Sequence, residues 1–381
     1  ATLDFCALRY STMADPHETT GKRALVLQGG GALGAYQVGA FEGLCARNFE
    51  PDWVAGISIG AINAALIAGN PPEKRHQRLD DFWTRASSQM AWPSIPWDTG
   101  DAANAALNEL NASIIMAAGV PGFFKPRVPP SIFQRAGEPT TLSIYDTEPL
   151  RETLTEMVDF DLINHDSGIR LSVGAVDIET GSQRYFDSKR GFDGTPDIIG
   201  PEHIMASAAL PPGFPAIKIG KSYYWDGGLT SNTPLEHVLR MKGDESLLIF
   251  QLDLFSAKGR LPTSVAEISE REKDIRFASR SAVNARKDRN LYNAGMDAGG
   301  AAMARSGTVT VIHLIYQSAV PEVASRDYNF SPLAIAEHRS AGQHDIDRAM
   351  RHPEWLLPSP DGEPMVEYVL ASDDEAPKKR P

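Results

Sequence analysis

Val54-Ala55-Gly56-Ile57-Ser58-Ile59-Gly60-Ala61-Ile62-Asn63-Ala64-Ala65-Leu66 is the stretch that decides the reading of this chain. It has the pattern of a short buried strand, a tight turn carrying Ser58, and a helix of small residues. Gly56-Ile57-Ser58-Ile59-Gly60 fits the nucleophile elbow, a serine with glycine two residues away on either side. The chemistry needs that spacing: the turn must push the hydroxyl clear of the backbone, and side chains at the flanking positions would collide with strand and helix. Three fixed positions in five make a weak pattern, so its weight depends on what surrounds it.

Thirty residues upstream, Arg23-Ala24-Leu25-Val26-Leu27-Gln28 reads as a buried parallel strand, followed by Gly29-Gly30-Gly31-Ala32-Leu33-Gly34 and a helix from Ala35 to Arg47. Free N–H groups of such a loop, at the start of a helix, suit a negative charge. Two successive strands thus end at one edge of a sheet, one in a glycine loop and one in a serine. N–H groups of the first can face the oxygen that turns negative when Ser58 attacks a carbonyl.

Gly29, Gly31 and Gly34 also satisfy Gly-x-Gly-x-x-Gly, the dinucleotide fingerprint. That motif requires an acid at the carboxyl end of the second strand, roughly 20 residues on. Glu50 and Asp52 lie near that distance but precede the apolar run Trp53 to Ile57. The rival reading, a dinucleotide-binding oxidoreductase, therefore lacks its ribose ligand.

At 381 residues the chain can bury a full core, and 42% hydrophobic with 23% charged residues is ordinary for a globular protein. Nothing in it approaches the ~20 apolar residues of a membrane span. A net charge of -12 argues against a general nucleic-acid binder and against simple attraction to anionic membranes. Two cysteines, Cys6 and Cys45, make no disulfide framework, and no cluster has metal-ligand spacing, so neither metal nor cofactor is expected. Residues 1–22 read as an arm without a signal-peptide pattern, which suggests a cytoplasmic protein with peripheral membrane contact where it meets lipid.

Residues 87–140 change character, with Trp92, Trp97 and the apolar run Ile114 to Phe124. They read either as surface packed on the core or as a cap over an apolar pocket, with Ile115, Phe123 and Phe124 as candidate substrate contacts. Further on, strands are expected at Arg170–Asp177, Gly181–Phe186, Ala216–Ile219, Ser222–Trp225, Ser246–Leu252 and Thr308–Tyr316. Asp226 follows one of them, in the glycine turn Asp226-Gly227-Gly228-Leu229. Helical periodicity covers Leu150–Phe160, His203–Ala209, the start near Pro234, Ile268–Met303 and Pro332–Met350, with residues 351–381 mostly tail.

Four stretches now stand in order: the glycine loop, the elbow, Ala206-Ser207-Ala208-Ala209-Leu210-Pro211-Pro212-Gly213-Phe214-Pro215, and Asp226-Gly227-Gly228-Leu229-Thr230-Ser231-Asn232-Thr233-Pro234. Together they resemble the patatin-like lipid acyl hydrolases, over roughly residues 23–255. The resemblance implies a three-layer α/β/α sandwich with a mostly parallel central sheet, followed by a mainly helical C-terminal extension over 256–350. It implies a Ser–Asp dyad with no histidine: Ser58 as nucleophile, Asp226 as base, and Gly29, Gly30 and Gly31 as the oxyanion loop. Where many members have Asp before the glycine run and Arg or Lys after it, this chain has Gln28 and Leu33. Arg326-Asp327-Tyr328-Asn329-Phe330 resembles part of the extension of a bacterial subgroup.

The function so implied is hydrolysis of lipid esters through an acyl-serine. Acyl transfer to another acceptor is the same chemistry, and a non-catalytic lipid-binding module is the bland alternative. A carboxylate of reference pKa about 3.9 is a weak base for serine, so the glycine loop must lower the tetrahedral state. It would place the acidic limb of the rate profile nearer pKa 4–5 than 6.5, unless burial raises it. His203 and His237 read as capping or packing residues; Asp253, just past a strand, is the second choice for the base.

Overall fold

The computed structural model describes residues 21–88, 115–130, 137–165, 168–191, 193–295, 307–317, 326–357, 363–370 and 378–380. β1 (Lys22–Leu27) runs through a 3-10 turn (Gly31–Gly34) into α1 (Ala35–Cys45), and β2 (Trp53–Gly56) leads to α2 (Ile59–Ala68) and α3 (Pro72–Ser87). A small antiparallel pair, β3 (Lys125–Pro126) and β4 (Tyr145–Asp146), precedes α4 (Glu148–Met157) and α5 (Phe160–Asn164). β5 (Arg170–Asp177) and β6 (Gln183–Asp187) make one hairpin; after α6 (Pro201–Ser207), β7 (Ile217–Ile219) and β8 (Ser222–Asp226) make another. Then come α7 (Leu235–Met241), β9 (Leu247–Asp253), α8 (Val265–Asn293), β10 (Val309–Ile315), α9 (Pro332–Ala349), β11 (Met365–Leu370) and β12 (Lys378–Arg380).

All strands but β3 and β4 form one sheet, in the order β12-β11-β10-β9-β1-β2-β5-β8-β7, with β6 also on β5. Its centre, from β11 through β5, is parallel. Central strands covered on both faces are apolar over continuous runs, and residues 24–27 of β1 show why. Leu25 and Leu27 join the core on one face, while Ala24 and Val26 join the core on the other. The first core is capped by α1, α2, α3 and α9; the second by α7 and the end of α8, through Leu235, Val238 and Tyr292. This is the expected α/β/α sandwich.

The C-terminal third differs from a helical extension followed by a tail. β10 pairs with β9 and β11 with β10, in parallel, so the sheet itself continues through residues 309–315 and 365–370. Met365-Val366-Glu367-Tyr368-Val369-Leu370 is too short and too mixed to stand out in a sequence. It becomes a strand because β10 presents an open, apolar edge beside it. Its one charge is accommodated by pairing: Glu367 accepts from His313 Nδ1 at 3.0 Å, and His313 Nε2 meets Asp253 at 2.9 Å. Burial opposes the charge on His313, yet the two carboxylates win and raise its pKa to about 9.

α9 starts cleanly, with Ser331 accepting from the Ala334 N–H and Pro332 in the first turn. It crosses α1 at two glycines with almost no space between backbones. A methyl group on Gly342 would lie 2.0 Å from the Tyr36 carbonyl oxygen, and one on Gly39 would lie 1.8 Å from that of Arg339. Tyr36 also donates to Asp345 at 2.8 Å across the same contact. Gly342→Val should therefore push the helices apart and cost about 1–3 kcal/mol or more in chemical denaturation. Normal stability would mean that α9 is only loosely docked.

Candidate active site

β1 and β2 pair in parallel with Leu27 opposite Gly56, so the glycine loop and the serine turn leave the sheet side by side. A methyl group on Gly29 would be 2.8 Å from Ser58 Cβ. The two flanking glycines of the turn are needed for close approach. A Cβ on Gly56 would stand 2.2 Å from the Gly60 carbonyl oxygen, and a Cβ on Gly60 would stand 2.4 Å from that of Leu27. Between them Ser58 has φ 56° and ψ -125°, a strained conformation for a residue with a side chain. Ser207 holds it there. Its hydroxyl accepts from the Ser58 N–H at 3.1 Å and donates to the Gly174 carbonyl at 2.6 Å. Ser58 also stands at the N-cap position of α2, beside the positive end of the helix dipole, and makes no side-chain cap bond.

Topology then delivers Asp226. β6 occupies one edge of β5 from Ser172 to Val176, and β2 occupies the other as far as Val173. β8 pairs with Ala175 to Asp177 and so takes the edge that β2 has vacated. Its last residue, Asp226, sits opposite Ala175, two positions beyond the partner of Gly56 and level with Ser58. Ser58 and Asp226 share one cavity, near enough for the Ser58 hydroxyl to favour the charged form of the carboxylate. Asp226 is buried, and burial raises its pKa to about 7 against the Gly228 N–H, bonded at 2.7 Å, and Ser58, which favour the charged form. Burial thus lifts this carboxyl above the ordinary carboxylate range, the exception that the sequence expectation allowed.

Gly29 does not fit its expected place among the oxyanion donors. Its N–H is already given to the Asn232 carbonyl at 3.2 Å. Among the described residues, no protein acceptor is recorded for the N–H groups of Gly30 and Gly31. Gly31 has φ 57°, as a glycine allows, and packs directly on the Asp327 carbonyl.

A cavity of about 80 Å³ opens beside Ser58 and Asp226. Phe123 and Phe124 line it, as do Leu210, Phe214, Phe277 and Phe330; Ile115 is buried in the core and does not. The remainder of the expected cap, residues 89–114 and 131–136, lies outside the described residues. Sequence reasoning missed Asn232, Asp327, Tyr328 and the aromatic residues contributed by the C-terminal third. Asn232 stood in a quoted motif without a role. Asp327, Tyr328 and Phe330 likewise stood in the quoted Arg326–Phe330 stretch without a role, and Phe255 and Phe277 had no local signal, since only packing brings them to the mouth.

The alternative residues go elsewhere. His203 accepts from the Gly200 N–H at 2.9 Å, and His237 contacts the buried Asp187 at 3.0 Å while stacking on Tyr185. Asp253 is engaged by His313 and by Thr233 at 3.2 Å. Glu50 pairs with Arg75, and Asp52 accepts from the Arg23 N–H, which places both at the amino edge of the sheet, away from the glycine loop. Among the described residues no group of three or more His, Cys, Asp or Glu could hold a metal ion, and no helix is long and apolar enough to cross a membrane.

A family model described as Patatin-like phospholipase matches residues 25–239, more than half of the chain. The chain belongs to the patatin-like phospholipase family. A second model, described as Patatin phospholipase, matches residues 298–362. The chain is 34% identical to a cGAMP-activated phospholipase of Escherichia coli (strain TW11681) over 26% of its own length and 31% of that protein's. It is 40% identical to the patatin-like phospholipase domain-containing protein M110.7 of Caenorhabditis elegans over 16% of its own length and 6% of that protein's. The matches thus span less than a third of each relative. The crystal structure of VipD from Legionella pneumophila aligns over 87% of this chain and 67% of that one, at 13% identity and a TM-score of 0.38, too low to bear on function.

The raised pKa of Asp226 has a consequence for stability. Unfolded, the carboxyl titrates near ~3.9; folded, at about 7. Between these values the folded protein holds a proton that the unfolded chain has lost, so the contribution of this group falls as pH rises from 4 to 7 and stays low above. Asp226→Asn should be more stable than the parent at pH 8, by on the order of 2–4 kcal/mol, with the gap closing towards pH 4. Denaturation curves at the two pH values check this; equal stability at pH 8 would mean that the carboxylate is well solvated.

Proposed function

We propose that this protein hydrolyses carboxylic esters of lipids through an acyl-Ser58 intermediate, with Asp226 as the only general base. The observation that carries the reading is that Ser58, on its strained turn, shares a cavity with a buried carboxyl whose pKa burial raises to about 7. A base whose pKa lies near the working pH combines a usable ionised fraction with real basicity, which an ordinary carboxylate lacks. Asp226 takes the Ser58 proton as the oxygen attacks the ester carbonyl. The oxyanion that forms is met by the N–H groups of Gly30 and Gly31. The C–O bond to the alcohol then breaks, Asp226 returns the proton to the leaving oxygen, and the acyl group stays on Ser58. A water molecule, deprotonated by Asp226, attacks the acyl-serine, and collapse releases the acid and restores the Ser58 hydroxyl.

The aromatic lining supports an apolar acyl chain as the part of the substrate nearest Ser58. The cavity, about 80 Å³, is small beside a lipid acyl chain, so the aromatic side chains part to admit one. Met116, Val128 and Ile144 are exposed on the same segment that carries Phe123 and Phe124, which suits contact with a lipid surface during that opening.

Ser58→Ala should fold normally and lose both ester hydrolysis and labelling by a fluorophosphonate. Asp226→Asn should lose about 10³-fold or more in kcat, and His203→Gln and His237→Gln should keep most activity. With the base ionised only above its pKa, the rate should rise through an apparent pKa near 7 and level off at higher pH. Labelling at another serine, or a histidine substitution that silences the enzyme while Asp226→Asn does not, would overturn the dyad.

The lining makes a separate prediction. Phe123→Ala should lower kcat/KM about tenfold or more for a long-chain ester and change it little for an acetyl ester, because only the long chain reaches that side of the cavity. Equal losses on the two substrates would mean that Phe123 serves the core alone.

A further inference from the structure

We infer that Asn232 is a positioning residue of the site, holding the Gly29–Gly30 peptide so that the Gly30 N–H faces the reacting carbonyl. The inference deepens the hydrolase reading and rests on it.

The argument begins with what glycine lacks. Gly29, Gly30 and Gly31 have no side chains to restrict their dihedrals, so a peptide plane between them can rotate at little cost. An oxyanion donor, however, works only if it is aimed before the charge appears. Something outside the loop must supply that aim, and Asn232 grips Gly29 at both of its polar groups. The Asn232 carbonyl accepts the Gly29 N–H at 3.2 Å, and Asn232 Nδ2 donates to the Gly29 carbonyl at 2.8 Å. In a trans peptide the C=O and the following N–H point in opposite directions. Fixing the Gly29 carbonyl on Asn232 therefore turns the Gly30 N–H the other way, and no protein acceptor is recorded for it among the described residues.

Asn232 is suited to this by its own placement. It is buried, it lines the cavity, and its Oδ1 lies where a side chain on Gly29 would have to go, 2.5 Å from a Cβ there. It stands six residues after Asp226. The intervening chain is wound tightly: the N–H groups of Thr230 and Ser231 both donate to the Gly227 carbonyl, at 3.2 and 3.1 Å. One compact turn thus carries the general base at its start and the clasp on the oxyanion loop at its end. The distance between the two halves of the site is set by that turn and not by the sheet alone.

The amide is what this role requires. Aspartate has the same shape, but it would present an acceptor to the Gly29 carbonyl. Alanine would leave that carbonyl unpaired and the peptide free to flip.

The experiment uses Asn232→Ala and Asn232→Asp in the full chain, with a short p-nitrophenyl ester as substrate, beside Ser58→Ala. Two inhibitors with the same acyl chain are compared: a trifluoromethyl ketone, which forms an anionic adduct on Ser58, and an ether, which cannot. The expected result for both Asn232 variants is a fall of about 10²–10³ in kcat with KM within threefold. Ketone inhibition should weaken in parallel while ether inhibition stays the same, and the acidic limb near pH 7 should not move. A kcat within tenfold of the parent in either variant overturns the inference, as does a loss confined to KM or equal weakening of both inhibitors. Loss of cooperative unfolding in both variants also overturns it, since Asn232 would then serve the fold. If Ser58→Ala itself keeps hydrolysis, the hydrolase reading fails and not only the role of Asn232.

Discussion

Leu27 lies opposite Gly56 in a parallel pairing, and the arrangement of the site depends on where those two strands stop. Parallel strands that end together present their loops on one edge, and here one loop has no side chains while the other has a serine at its apex. The contact is so close that Gly29 and Ser58 could not both carry a Cβ without displacement. A slip of one residue in this register would separate them and would also turn the alternating apolar residues of β1 to the wrong faces. The same pairing that buries the core thus also sets the site.

The second constraint is the desolvation of Asp226. A carboxylate placed in this environment is disfavoured as an anion, and the Gly228 N–H bond, together with the nearby Ser58 hydroxyl, offsets only part of that cost. The desolvated carboxyl lowers stability above neutral pH, and in the proposed mechanism it makes Asp226 a stronger base. Strain at Ser58 adds to the cost and is supported by the double contact with Ser207. Both expenditures are concentrated within a few residues of one hydroxyl group, and the surrounding core, close-packed on both faces of the sheet, is what sustains them.

The C-terminal third is part of the same body. β10 and β11 widen the sheet, α9 docks on α1, and the 326–330 segment comes back over the glycine loop. A charge cluster holds that return: Lys273 donates to Asp327 at 2.8 Å and to Glu270 at 3.1 Å, and Arg326 pairs with Asp274. Asp327, Tyr328 and Phe330 consequently share the cavity with Ser58. In the proposed mechanism, the movement that admits a lipid would involve this segment, so the region beyond β9 bears on access as well as on stability.

What the sequence by itself determined was local. Elbow spacing, the glycine run and the glycine turn after Asp226 are patterns of close approach and backbone freedom, and such patterns appear within a few residues. The parallel strands were legible for a similar reason, because burial on both faces leaves an unbroken apolar run. Tertiary structure alone decided the rest. Asn232 on Gly29, the 326–330 segment above the loop and the strand at 365–370 are contacts between residues far apart in the chain, and no periodicity records them. The pKa of Asp226 belongs to the same class. Its residue type was visible in the sequence, but its value depends on how completely the fold removes water from around it.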